Sequence, residues 1–240
     1  RSGGQLYDFL MGLMKDQVAK AAGTHVVPHL AAGYVRSVLD MAIDGIGPLR
    51  PVVETAGAKL AANGGDVEKA IAALVRSHTS MAGLQGFVTN LGGIALAPAT
   101  VPANVVGVTL VQCHLVAGIA HLRGYDIEDP RVRNAALAVM LGEDTVKDMI
   151  KGKRLPSSPM ALATSPVHDP ILDERIAKEV TSELVGRTIG RRALMLAGKK
   201  IPLLGGVVGA SADGFGTWQV GRYAQSELKD RRRVNDSVRR

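Results

Sequence analysis

Cys113 is the only cysteine in the chain. One thiol excludes an internal disulfide and any cysteine-rich metal centre, and it fits a reducing compartment. Aromatic residues are nearly as scarce at 3%, while glycine is plentiful. A β-sandwich would draw on Tyr, Phe, Trp and β-branched runs, so this composition points to closely approaching helices instead. The G-x-S-x-G elbow of hydrolases and the G-x-x-x-x-G-K-[ST] phosphate loop are both missing. No signal-peptide pattern opens at Arg1-Ser2-Gly3-Gly4.

The most informative absence is one of charge. Between Arg76 and Arg123 there is no Asp, Glu, Lys or Arg, although 21% of the chain is charged. Two apolar arms, Met81 to Ala97 and Pro102 to Leu122, are joined by a run in which Leu96, Pro98, Val101 and Pro102 form a candidate turn toward lipid or a partner. Proline suits the first turn of a helix, so Pro102 is read as opening the second arm. That arm, if helical, spans about 30 Å, enough for a bilayer's hydrocarbon core. Asn104, Thr109, Gln112, His114 and His121 interrupt it, however, and would have to face protein. The centre of a soluble bundle has the same pattern. A buried core is therefore preferred over an inserted hairpin, and a hairpin over a crossing. Gly83, Gly86, Gly92 and Gly93 in the first arm point to close backbone approach or a turn.

The rest of the chain reads as helices punctuated by glycine and proline. Gln5 to Ala22 and Leu30 to Ile43 are amphipathic, the latter stopped by Gly45-Ile46-Gly47-Pro48. His25 and His29 have a metal-compatible spacing, but Pro28 lies between them and a third ligand is missing, so a linking turn is preferred. Val52 to Ala62 is closed by Asn63-Gly64-Gly65, and Asp66 caps Val67 to His78. Gly124 ends the uncharged arm, and Asp129-Pro130 starts a helix from Arg131 to Lys153. Its Glu143, Asp144 and Asp148 alternate with Lys147, Lys151 and Lys153, as on a solvated face. Leu155 to Pro170 is rich in proline and serine and reads as a linker. Asp169 or Asp173 caps the next helix, with Leu172, Ile176, Val180 and Leu184 on one row.

Chemistry-bearing groups are few. Cys113 and His114 are adjacent, about 100° apart on a helix, and ill placed as nucleophile and base. His114 and His121 read as core histidines, with Gln112 or Asn104 as partners. His168-Asp169 could form a triad with a serine, but no elbow accompanies it. In the last apolar segment, Ile201 to Val220, Gly205 and Gly209 form a small-xxx-small pair suited to close packing against the Pro102 to Leu122 arm. The net charge of +7 gathers toward the end, in Arg191-Arg192, Lys199-Lys200, Arg231-Arg232-Arg233 and Arg239-Arg240. Nucleic acid is disfavoured, since aromatic interleaving and DNA-binding motifs are absent. Trp218 beside that basic tail has the arrangement expected at a membrane interface, and anionic lipid matches the charge.

Four stretches carry a resemblance. Gly86-Phe87-Val88-Thr89-Asn90-Leu91-Gly92-Gly93, the Pro102-led helix, Ala120-His121-Leu122-Arg123-Gly124-Tyr125-Asp126 with Asp129-Pro130, and Lys200-Ile201-Pro202-Leu203-Leu204-Gly205-Gly206-Val207-Val208-Gly209 occur in that order. Over most of Leu30 to Gln225 they resemble the EcsC protein family, with Asn90 standing where the family tends to have a small residue. The resemblance implies a helical fold, a bacterial source and a membrane-associated or secretion-linked setting, the family's name coming from an operon that also encodes an ABC transporter. It brings no catalytic residues.

The sequence thus predicts an all-α, single-domain helical bundle of about eight helices around two nearly uncharged central helices. Residues 30–225 are expected to form the core, 155–170 a mobile loop and 226–240 a basic tail. The expected function is that of a non-enzymatic, membrane-associated binding or scaffold protein, cytoplasmic and peripheral, linked to transport or secretion. Its partners would be anionic lipid or a membrane protein, with self-association open. The contacts would be the Leu96–Pro102 turn, Gly205 and Gly209, Trp218, and Arg231, Arg232 and Arg233. The alternative is a soluble carrier holding a lipid or acyl chain between the central helices, and a hydrolase using Cys113 or the histidines comes third. No catalytic residue, cofactor or metal is assigned.

Overall fold

The structure is a computed structural model that describes residues 27–46, 49–91, 93–182 and 202–231. The expected Gln5 to Ala22 helix, His25, Leu184, the 191–200 cations, Arg232 and Arg233 lie outside the described residues. Helices follow one another as α1 (Val27–Asp44), α2 (Val52–Ala62), α3 (Val67–Leu91), α4 (Gly93–Leu122), α5 (Pro130–Leu141), α6 (Glu143–Lys151), α7 (Pro159–Ala163), α8 (170–182) and α9 (Pro202–Glu227). Among the described residues there is no strand, only an isolated bridge between Ile46 and Leu49. The fold is all-α, as the composition predicts.

Local signals explain most boundaries. Gly45 has φ +83°, and a Cβ there would meet the Pro51 nitrogen at 2.6 Å, so only glycine can turn the chain after α1. Asp66 accepts a hydrogen bond from the Lys69 amide at 3.0 Å, capping α3. Gly124, at φ +82°, closes α4, with the Tyr125 amide donating back to the Ala120 carbonyl at 3.0 Å. Asp129 caps α5 through the Arg131 amide at 2.8 Å, with Pro130 in the first turn.

Four expectations need correction. The helix after Asp66 runs past His78 to Leu91. Next, α4 starts at Gly93, so the Leu96 to Pro102 run is helical and Pro102 lies inside α4 rather than opening it. Each proline removes one backbone donor, and a helix of 30 residues retains its other bonds. The expected Arg131 to Lys153 helix is broken at Gly142, whose φ of 86° no interior helical residue adopts. Finally, the proline-rich 155–170 stretch holds α7, because Pro159 occupies a first-turn position and Ser158 caps it. Leu155, Leu162 and Ala163 are buried there.

The core is continuous and centred on α4, which packs against α1, α2, α3, α5 and α9. Leu115, Val116, Ile119 and Ala120 of α4 are fully buried in it. Although α9 touches α4 as expected, its most extensive packing is on α3. Glycine permits that closeness. A Cβ on Gly214 would lie 3.7 Å from the Gly83 Cα, and one on Gly221 would press on Val75 and Leu115. Gln112 Nε2 donates to Thr217 Oγ1 at 3.3 Å, so it ties α4 to α9 instead of serving a histidine.

Candidate functional site

Three places in the fold bring together groups with chemical or binding potential: a buried histidine pair, an open hollow and an exposed apolar face.

His78 of α3 follows Ile71 and Leu74 on the buried stripe of that helix, and His114 projects from α4 into the same layer. Both are buried, and His78 Nε2 lies 2.8 Å from His114 Nδ1. The ring planes are within 23° of each other. At the outer ends, His78 Nδ1 is 2.8 Å from the Leu74 carbonyl and His114 Nε2 is 2.9 Å from the Arg50 carbonyl. Burial, then the neighbouring His114 charge, pushes His78 down to about 4. Burial likewise lowers His114, partly offset by the Arg50 carbonyl. Sequence reasoning treated His114 as a core histidine and missed its partner, 36 residues away. The available signal was a polar residue at position 78 on an otherwise apolar stripe.

His121 does not join the pair. It is half-buried and lines an open hollow of about 400 Å³ with Val53, Tyr125, Asp126, Ile127 and Glu128. A second void of about 10 Å³ lies between Leu39, Ala117 and Ala136. Cys113 is fully buried with its thiol donating to Met140 Sδ at 3.2 Å, and burial pushes that thiol up, away from the nucleophilic thiolate. His168 pairs with Asp173 at 2.7 Å rather than with Asp169, and the Ser165 hydroxyl donates to the Val167 carbonyl at 2.8 Å. Asp169 caps α8 through the Ile171 amide at 2.9 Å, while Asn134 holds Asp173. Among the described residues no group of three or more His, Cys, Asp or Glu side chains is arranged to hold a metal ion. Lys147 bridges to Glu143 at 2.6 Å, as a solvated acidic and basic face predicts.

The third place is on the surface. Phe215 and Trp218 of α9 stack at 5.7 Å between ring centroids and are exposed by 57% and 44%. Across the helix pair, Leu84 and Met81 of α3 are exposed by 67% and 42%. Leu84 adjoins Gly83 in the chain and Phe215 adjoins Gly214, and those two glycines are in contact, so Leu84 and Phe215 lie at one level of the α3–α9 pair, whereas Met81, two residues from both Thr79 and Gly83, turns away from α9. About two turns further along the pair, toward the Gly221–Val75 contact, the exposed charges Arg76 on α3 and Arg222 on α9 are both cationic. Asp213, the one acid on α9 before Glu227, is buried. Single exposed apolar side chains are ordinary, but a stacked aromatic pair in a chain with three Phe and one Trp is not.

Of the contacts expected from sequence, Trp218 thus belongs to an exposed apolar face. Leu96, Pro98, Val101 and Pro102 lie along the first half of α4, and Gly205 and Gly209 in the first turns of α9. Arg231 stands 5.7 Å over the Tyr125 ring, and its amide donates to the Arg123 carbonyl at 2.8 Å. Among the described residues no helix is long and apolar enough to cross a membrane. Residues 58–232 match the EcsC protein family. Neither a curated protein nor a solved structure matches the chain.

Proposed function

The chain belongs to the EcsC protein family, and on that premise we propose that it is a peripheral membrane-surface binding or scaffold protein, serving transport or secretion, that docks through the outer side of α3 and α9. The observation that carries this reading is the stacked, exposed Phe215–Trp218 pair at the level of exposed Leu84, with Arg76 and Arg222 exposed about two turns further along the same helix pair. Aromatic rings flanked by cations suit the headgroup level of a bilayer, where an apolar body and a charged rim are both satisfied. Anionic lipid is the matching partner because the exposed charges next along α3 and α9, Arg76 and Arg222, are both positive.

The energetics fit reversible attachment. Full burial of a large apolar side chain stabilises by about 1.5–3 kcal/mol, so three side chains that are already half covered contribute roughly 3 kcal/mol together. Two arginines near an anionic surface add about 1 kcal/mol each. The sum corresponds to a dissociation constant on the order of 0.1 mM, weak enough for salt and lipid composition to control.

Trp218 is the single tryptophan, so its emission reports this face alone. With phosphatidylcholine vesicles carrying a third phosphatidylserine, the emission is expected to shift to the blue. With pure phosphatidylcholine, or in molar salt, it should stay near its starting value. Leu84→Ser and Phe215→Ser should each reduce cosedimentation with the anionic vesicles. An emission maximum and a pelleted fraction indifferent to anionic lipid would refute the proposal.

A further inference from the structure

The His78–His114 pair presents three contacts at hydrogen-bond length, and two neutral imidazoles bring only two protons to them. Both outer partners are carbonyl oxygens, which only accept. If each ring donates outward, the two nitrogens facing each other at 2.8 Å are both bare acceptors. All three contacts are bonded only when the pair carries one extra proton. From this count we infer that His78 and His114 form a buried site for a single proton, which enters at His78 Nδ1 and is exchanged there against the Ser77 hydroxyl.

The neighbours decide where the shortage falls in the neutral pair. The Arg50 carbonyl lies outside any helix and depends on His114 Nε2–H, so that donor stays. The Leu74 carbonyl is inside α3 and already takes a helical amide bond, and the Ser77 hydroxyl also donates to it at 3.0 Å. His78 therefore donates inward, from Nε2–H to His114 Nδ1, and leaves Nδ1 bare. Ser77 Oγ, 3.4 Å from that nitrogen, turns its hydrogen to it. On protonation Nδ1–H donates to the Leu74 carbonyl, and the serine hydroxyl returns to that carbonyl as well. No bond is broken beyond the movement of one solvent proton onto Nδ1, and the pair's charge rises by one.

The groups facing the pair keep this proton weakly held. From α4 comes His114 itself, from α2 Lys59, whose positive charge opposes uptake, and from the 49–51 segment only a carbonyl. On α3 the exposed Arg76 is nearby in sequence, and α9, packed on the Val75, Thr79 and Gly83 side, carries buried Asp213 and exposed Arg222. A second proton would put two charges in the same dry layer, so the pair stops at one.

Nitrogen-15 spectra of the full chain with labelled histidine test this directly. Signals are assigned by their loss in His78→Gln and His114→Gln. At pH 7.5 both rings are expected in the Nε2–H form, a readout that needs no acid and no variant stability beyond assignment. On acidification the pair should take up one proton in one step, with a midpoint below the ordinary histidine value. Ser77→Ala removes the donor that the neutral form uses, so its midpoint should rise by about half to one pH unit, a three- to tenfold gain in proton affinity. A His78 Nδ1–H form at pH 7.5, independent titration of both rings near the ordinary value, or an unmoved midpoint in Ser77→Ala would each overturn the inference.

Discussion

Replacing Gly221 with alanine is expected to destabilise the protein, although alanine is the better helix former. In a helix interior the exchange would normally stabilise by about 1 kcal/mol. At this position the new Cβ would sit 3.0 Å and 3.3 Å from the two methyls of Val75 and 3.2 Å from Leu115 Cδ2. A β-branched side chain in a helix has essentially one rotamer, so Val75 cannot swing clear, and α9 must move away from α3 and α4. Overpacking of this kind costs about 1–3 kcal/mol, which leaves a net loss of roughly 1 kcal/mol. Gly57, in α2, supplies the control: no atom lies within 4 Å of its added Cβ. Gly57→Ala should therefore show the propensity gain undiminished. Urea unfolding followed by circular dichroism measures both. In a double-mutant cycle, Val75→Ala should recover part of the Gly221→Ala loss, because the methyls in the way are gone. If Gly221→Ala stabilises as much as Gly57→Ala, the close α3–α9 approach is wrong, and with it the placing of Phe215 and Trp218 beside Leu84.

Other tests concern single groups. His78 has its folded pKa lowered from 6.5 to about 4, so the unfolded chain binds the proton more tightly and the stabilisation, complete above pH 6.5, is lost as pH falls toward 4. The loss amounts to about 3 kcal/mol at 1.36 kcal/mol per pKa unit. Urea unfolding at pH 7 and pH 4.5 should therefore show a smaller drop in His78→Gln than in the wild type; equal drops would contradict the burial of this ring. Asp129→Ala removes the α5 cap and a partner of Arg131, whose Nη1 also donates to the Ser165 carbonyl at 2.5 Å. It should cost about 1 kcal/mol in the same assay. Cys113, the one thiol, should react with a disulfide reagent only at the rate of global unfolding, and fast labelling in native buffer would show that α4 is not the centre of the core.

Helix identity was legible because its signals are local. The Asp66 and Asp129 caps, the Gly124 stop and the Val52–Ala62 boundaries follow from side chains within a turn of where they act. Prolines were misread in both directions. Pro102 lies inside α4 and Pro159 opens α7, since the same ring that interrupts a helix interior fits its first turn. The site features were hidden for another reason. The His78–His114 contact and the outward Phe215–Trp218 stack depend on which face of α9 and α3 meets the core, and glycine, which weakens any periodic pattern, sets that face at Gly83, Gly214 and Gly221.

The helix order also constrains how the two features read from the sequence as candidate membrane contacts, the uncharged hairpin and the basic tail, could act together in the proposed docking. Arg123 pairs with Glu68 at 2.9 Å and takes a bond from the Arg231 amide, so the start of α3, the end of α4 and the exit of the basic tail share one end of the bundle. The Leu91–Gly93 join lies at the other end, about 45 Å away along the 30 residues of α4. A hairpin pushed tip-first into lipid would hold Arg231 far above the charged headgroups, beyond several Debye lengths. The Phe215–Trp218 face lies partway between those ends, at the Gly83–Gly214 level. A bundle resting on that side brings the α3–α9 pair parallel to the surface and leaves both ends within reach of it. Tip insertion and tail attraction thus compete, whereas side-on docking lets the aromatic pair, Arg222 and the tail act at once. The two poses separate experimentally: side-on docking should lose affinity through both Phe215→Ser and Arg231→Gln, and tip insertion through neither.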